Sequence, residues 1–113
     1  MPDLKPVEHI DTDQIDAEVH TKVMGHAEAK GLVYNYATDD AACRRVINRL
    51  LSKAVAVRFD LMVMDEGKEG FAAMLESPET RVVVVRHSFN LALCEAAIHF
   101  AETKGGREWL DWN

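Results

Sequence analysis

Cysteine is scarce in this 113-residue chain. Cys43 and Cys94 stand alone, without the paired spacing of a zinc ribbon or a thiol redox motif. Each falls in an apolar helical pattern. The sequence leaves a disulfide open, but it reads as two buried thiols in a reducing cytoplasm. Long apolar runs are missing as well. None approaches the length of a membrane span, and the opening "MPDLKPVEHIDTD" has no apolar core of a secretory signal. A soluble, intracellular protein is expected. Only six glycines occur, and none makes a phosphate loop. Gly105-Gly106 and the Gly67/Gly70 turn lack the following helix that would cradle an anion.

A basic face is also lacking. Residues 1–40 hold nine acids (Asp3, Glu8, Asp11, Asp13, Asp16, Glu18, Glu28, Asp39, Asp40) against Lys5, Lys22 and Lys30, so this stretch carries the whole net charge of −6. Direct binding to a nucleic-acid backbone would need the opposite sign. The acidic front suits a solvated surface, or a negative face offered to a basic partner.

What is present reads as one small α+β domain. Residues 1–10, with Pro2 and Pro6, form a flexible arm, and 11–113 form a single domain with a Trp-rich C-terminal tail. Ile15, Val19 and Val23 recur every four residues, which predicts a helix over 13–24 with Thr12 or Asp13 at its cap and Gly25 at its stop. "HAEAKGLVYNY" is irregular, with Gly31 as a turn. Thr38 then caps a second helix, "DDAACRRVINRLLSKA", with Ala42, Val46 and Arg49 or Leu50 on one face and Cys43, Ile47 and Leu50/Leu51 beside it.

The period then changes to two. Val55, Val57, Phe59, Leu61 and Val63 alternate with Arg58 and Asp60; "FAAMLES" and "TRVVVVRH" continue as strands, with Pro78 setting the bend between them. Ser88 caps a last helix, "FNLALCEAAIHFAETKGG", which Gly105-Gly106 stop. The order is α-α-β-β-β-α, a three-stranded antiparallel meander layered with helices.

Few residues invite chemistry. Asp39 and Asp40 lie at the first two helical positions after Thr38, where carboxylates complement exposed amides and the positive end of the dipole. Adjacent helical positions point about 100° apart, so the pair does not converge on one ion. His9, His20, His26, His87 and His99 show no metal-ligand spacing, and "DTDQID" lacks the Gly and distal Glu of a calcium loop. Ser88 has a capping role and Cys94 lies in a helix stripe, which leaves no nucleophile arrangement. No catalytic residue, cofactor or metal is expected. "REWLDWN" carries Trp109, Leu110 and Trp112, which either plug the core or anchor a partner, and Tyr34 and Tyr36 pose the same choice.

Three stretches together resemble a known family. "IDAEVHTKVMG" (15–25) resembles its opening helix, "YATDDAACRRVINRL" (36–50) its Tyr-x-Thr-Asp signature, and "FNLALCEAAIHFAE" (89–102) its closing helix. The family is the phage ABA sandwich domain, small phage and prophage proteins with layers of helix, sheet and helix. His26 departs from an often aromatic position, and the Trp-rich tail has no counterpart in the family. The resemblance implies a fold and a phage origin but no reaction.

These readings lead to a non-enzymatic phage or prophage accessory protein of the cytoplasm of an infected or lysogenic bacterium. It would bind a host or phage protein, with no direct contact to nucleic acid or membrane. One such role is inhibition of a bacterial immune system such as CRISPR, the acidic first helix occupying a basic nucleic-acid channel. The expected partner-binding residues are Asp11, Asp13, Asp16, Glu18, Tyr34, Tyr36, Trp109 and Trp112. The alternative is a small-molecule-binding or hydrolytic phage protein using Tyr34, Tyr36, Asp39, His87 and His99 around one pocket. A further alternative is a self-assembling structural protein or homodimer in which "RVVVV" pairs at a sheet edge.

Overall fold

The computed structural model describes residues 11–25, 33–64 and 67–112, the last without the side chain of Trp112. The N-terminal arm, His26 and the Gly31 turn lie outside the described residues.

Helix α1 (Thr12–Glu18) starts one residue earlier than its pattern suggests, because Asp11 supplies the cap and accepts from the amide of Gln14. It runs on as a π-helical segment, Val19–Val23, in which the Met24 amide reaches back five residues to the Val19 carbonyl. The wider turn keeps Val19, His20 and Val23 on the buried side that Ile15 and Asp16 begin. Gly25 ends it at φ 85°, and the carbonyls of Lys22 and Val23 are closed by Arg107 and Arg49, cations suited to a helix C-terminus.

Helix α2 (Asp40–Ser52) buries Ala42, Cys43, Val46 and Leu50. Its start corrects the sequence reading by one residue. Thr38 and Asp39 both donate their amides to the Asn35 carbonyl, so a turn occupies the place foreseen for the cap, and Asp39 makes no side-chain cap bond. The helix ends in a Schellman motif. The amide of Val55 bonds to the Leu50 carbonyl and that of Ala54 to Leu51, which forces Ala54 to φ 60°. A Cβ is unwelcome in that region, so Ala54→Gly is expected to raise stability by about 1 kcal/mol in urea unfolding.

The meander follows with β1 (Ala56–Val63), β2 (Glu69–Ser77) and β3 (Thr80–Arg86), in the sheet order β1-β2-β3. Every residue of β1 pairs one-to-one with β2, from Ala56 opposite Glu76 to Val63 opposite Glu69. Pro78 and Glu79 alone connect β2 to β3, where the sequence places the bend.

Helix α3 (Phe89–Glu102), capped by Ser88 as expected, is buried on nearly every side. Its alanines 92, 96, 97 and 101 let neighbours approach closely. It lies across β2 and β3 and also meets α1, the π segment and α2. Phe71, Ala73, Leu75, Val82 and Val84 face it from the sheet. On the other face Arg58, Asp60, Met62, Glu76, Arg81 and Val83 are exposed. The described helices therefore stack on one face of the sheet, whereas the family resemblance would cover both.

A fourth helix departs from expectation. α4 (Lys104–Trp112) begins where Gly105-Gly106 would have ended the chain's last helix. Thr103 serves both helices, since its amide bonds back into α3 and its hydroxyl accepts from the Gly106 amide. The tail folds onto the core. Leu110 is buried, and the half-buried Trp109 donates its indole N–H to the Lys53 carbonyl at 2.7 Å.

Candidate functional site

The residues singled out in the sequence separate into three environments. Asp16 is only 5% exposed, and its Oδ1 accepts from the Ala37 amide at 2.9 Å. That bond ties α1 to the 33–38 segment. Asp11 and Asp13, one turn before Asp16, are exposed, as are Asp39 and Asp40 just beyond Ala37. The bond thus ties the helix that carries Asp11 and Asp13 to the segment that leads into Asp39 and Asp40. A cleft of about 250 Å³ opens there, lined by Asp13, Asp16, Ala17, Val33 and Asn35.

Burial raises the Asp16 carboxyl above the ordinary carboxylate range. The hydrogen bond from Ala37 opposes that shift and the charge of Asp13 adds to it. Asp40 is also held, accepting from Asn90 Nδ2 at 2.8 Å. Among the described residues no cation pairs with either Asp39 or Asp13.

Tyr34 and Tyr36 sit on the same segment and differ in role. Tyr36 is 1% exposed, its hydroxyl lies 3.0 Å from His20 Nδ1, and burial raises its phenol. It is a core residue and offers no surface to a partner. Tyr34 is half-buried, edge-on to Tyr36, with the guanidinium of Arg45 at 4.3 Å from its ring centre.

Glu18 goes elsewhere. With Ile15, Arg86, Glu95, Ile98, His99 and Glu102 it lines a cleft of about 330 Å³ between α1 and α3. The acids there are largely answered. Lys22 bridges Glu18 and Glu102 at 2.9 and 2.6 Å, and Arg86 holds Glu95 through two hydrogen bonds. The Glu102 and Glu18 bonds raise the Lys22 ammonium above its usual value, so it stays charged. Trp109 is committed to α2 at the opposite end of that helix, and the Trp112 side chain lies outside the described residues.

The groups of the alternative pocket do not come together. His99 lines the α1–α3 cleft, while His87 bonds the Glu69 carbonyl and Tyr36 bonds His20. A third cleft of about 330 Å³ is lined by Asp40, Cys43, Arg44, Ile47, Phe89 and Asn90 and takes none of them. Cys43 and Cys94 are free and buried, and the neighbouring Cys43 thiol, together with burial, pushes the Cys94 thiol up. Among the described residues no three His, Cys, Asp or Glu side chains converge as a metal site requires. No described helix is long and apolar enough to cross a membrane.

The role of Asp16 was hidden in the sequence, where it looks like one more surface acid. Its position one residue after Ile15 on a four-residue apolar repeat was the available signal.

No family model and no curated protein matches this chain. A solved structure described as a phage protein from Bacillus cereus ATCC 14579 is similar to it in fold, with a TM-score of 0.58 over 87% of this chain and 97% of its own. The two are 11% identical, so the likeness is one of fold.

Proposed function

We propose that this is a phage or prophage accessory protein of the phage ABA sandwich kind. It acts without catalysis, by binding a basic protein surface in the cytoplasm of an infected or lysogenic bacterium. The observation that carries the reading is the Asp16–Ala37 bond, which ties the start of α1, with the exposed Asp11 and Asp13, to the segment that leads into the exposed Asp39. Carboxylates spaced along a helix and a neighbouring turn can stand in for successive phosphates. A basic nucleic-acid channel, such as that of a CRISPR effector, is the kind of surface they suit. The fold shared with a phage protein supports the origin.

The test separates surface charge from structure. Asp11, Asp13 and Asp39 are exposed; changing Asp11 to Asn, which keeps an oxygen to cap the Gln14 amide, and reversing Asp13 and Asp39 to lysine leaves Asp16, Asp40 and Glu18 in their bonds. A nuclease-treated pull-down from host lysate identifies the partner, and titration with that partner then measures the effect. The triple variant is expected to bind at least tenfold more weakly, on the order of 1.4 kcal/mol, with a flatter salt dependence. Unchanged affinity in a folded triple variant would sink the acidic-patch reading.

A further inference from the structure

The free edge of β1 carries an inference independent of the acidic patch. β1 and β3 are the two outer strands of the sheet. Natural edge strands are usually short, bulged, interrupted by proline or covered. β1 has eight residues, no proline and no break in its pairing with β2. Among the described residues no strand pairs with its other side.

Its apolar residues also overhang the core. Val57, Phe59, Leu61 and Val63 alternate onto the helix-covered face, and Phe59 stacks on Phe89 with ring centres 4.3 Å apart. Leu61 and Val63 are nevertheless 66% and 72% exposed. Leu51 on α2, the helix that packs beside β1, is exposed as well. An apolar strip thus runs past what the other described residues cover.

We propose that two copies of this chain associate through the free edges of β1. They pair antiparallel about a two-fold axis at Phe59 and form a continuous six-stranded sheet. The register follows from charge. With Phe59 opposite Phe59 of the second copy, Arg58 faces Asp60 and Asp60 faces Arg58. Val57 meets Leu61, and Ala56 meets Met62. Shifting the axis to Arg58 or to Asp60 sets like charges opposite one another, which is unfavourable. Shifting by a single residue would instead turn the two helical layers to opposite faces. Neither Arg58 nor Asp60 makes an ion pair with a described residue of its own chain. β3, the strand its valines singled out, is less suited: its charges Arg81 and Arg86 share one sign, and Arg86 already holds Glu95.

Sedimentation of the full chain tests the register by charge exchange. The wild type is expected to dimerise. Arg58→Asp and Asp60→Arg each set like charges opposite one another at two symmetric places, and each should weaken the dimer about tenfold or more. The double variant R58D/D60R restores both attractions and should return to wild-type association. Circular dichroism melts establish that each single variant is folded, and either one reads the register if the other fails. A monomeric wild type, a dimer indifferent to both single changes, or a double variant that stays weakened would each overturn the proposal. A monomeric wild type would leave the edge to a strand from another protein.

Discussion

Gly106→Ala is expected to destabilise the protein by about 3 kcal/mol, the upper end of what overpacking usually costs. Helix propensity alone points the other way, since alanine is favoured over glycine inside a helix by roughly 1 kcal/mol. Space decides the sign. A Cβ at position 106 would press into the backbone carbonyl of Phe100, at the buried end of α3, and would sit 2.6 Å from the Thr103 hydroxyl. Neither neighbour can give way cheaply. The carbonyl belongs to a helix buried on almost every side, and the hydroxyl is the cap of α4. Relief would come by lifting α4, which would withdraw Leu110 from the core and Trp109 from the Lys53 carbonyl. Gly105 is the control. A Cβ there meets chiefly the Thr80 side chain, whose hydroxyl can rotate away, so Gly105→Ala should be far milder. Urea unfolding of the two variants beside wild type checks the contrast, and a Gly106→Ala protein as stable as wild type would refute the close-approach account.

The same glycine shows where sequence reasoning stopped. A glycine pair after a helical run is a stop signal when each residue is judged by its own backbone freedom. Here the first helix does end, but Thr103 at once caps another, and Gly106 is small because Phe100 is near. A Thr three residues before a glycine was the available sign of that second start. The meander was legible because alternation in β1, the bend at Pro78 and the valine run of β3 are local facts. The cap of α2 lies one residue beyond the Thr38 that its residue type favours because the Asn35 carbonyl takes two amides, a detail of the turn that residue types do not reveal. The candidate site was legible as a charge excess and no further. Which of Asp11, Asp13, Asp16 and Glu18 faces solvent depends on α1 meeting the 33–38 segment on one side and α3 on the other. Those are tertiary facts: they send Asp16 to Ala37 and bring Glu102 to Lys22, whose bond to Glu18 is itself a local i,i+4 pair.

Asp16→Ala is expected to cost about 2 kcal/mol, because the Ala37 amide loses its acceptor in a buried place. Asp16→Asn keeps an oxygen for that amide and should recover most of the loss. The pH dependence separates the two roles of the carboxylate. Folding raises the Asp16 carboxyl above its unfolded value because burial disfavours the charge more than the Ala37 bond favours it. In the window between the two values the native state therefore binds the proton more tightly than the unfolded chain. This group's contribution is full below the unfolded carboxylate value and declines as pH rises through the folded one. The stability difference between wild type and Asp16→Asn, measured by urea unfolding from acid to neutral pH, isolates that decline from the other acids of the chain. Wild type should lose ground to the Asn variant as pH rises. A difference that is flat, or that grows in favour of wild type, would mean the carboxylate is better satisfied than its burial implies. The acidic patch would then be pinned by a charge that the fold stabilises, and Asp16 would add to the field at the cleft throughout. With the expected sign, the pin is held by the hydrogen bond despite the charge, and the field at neutral pH comes from Asp13 and Asp39 together with whatever fraction of Asp16 is ionised.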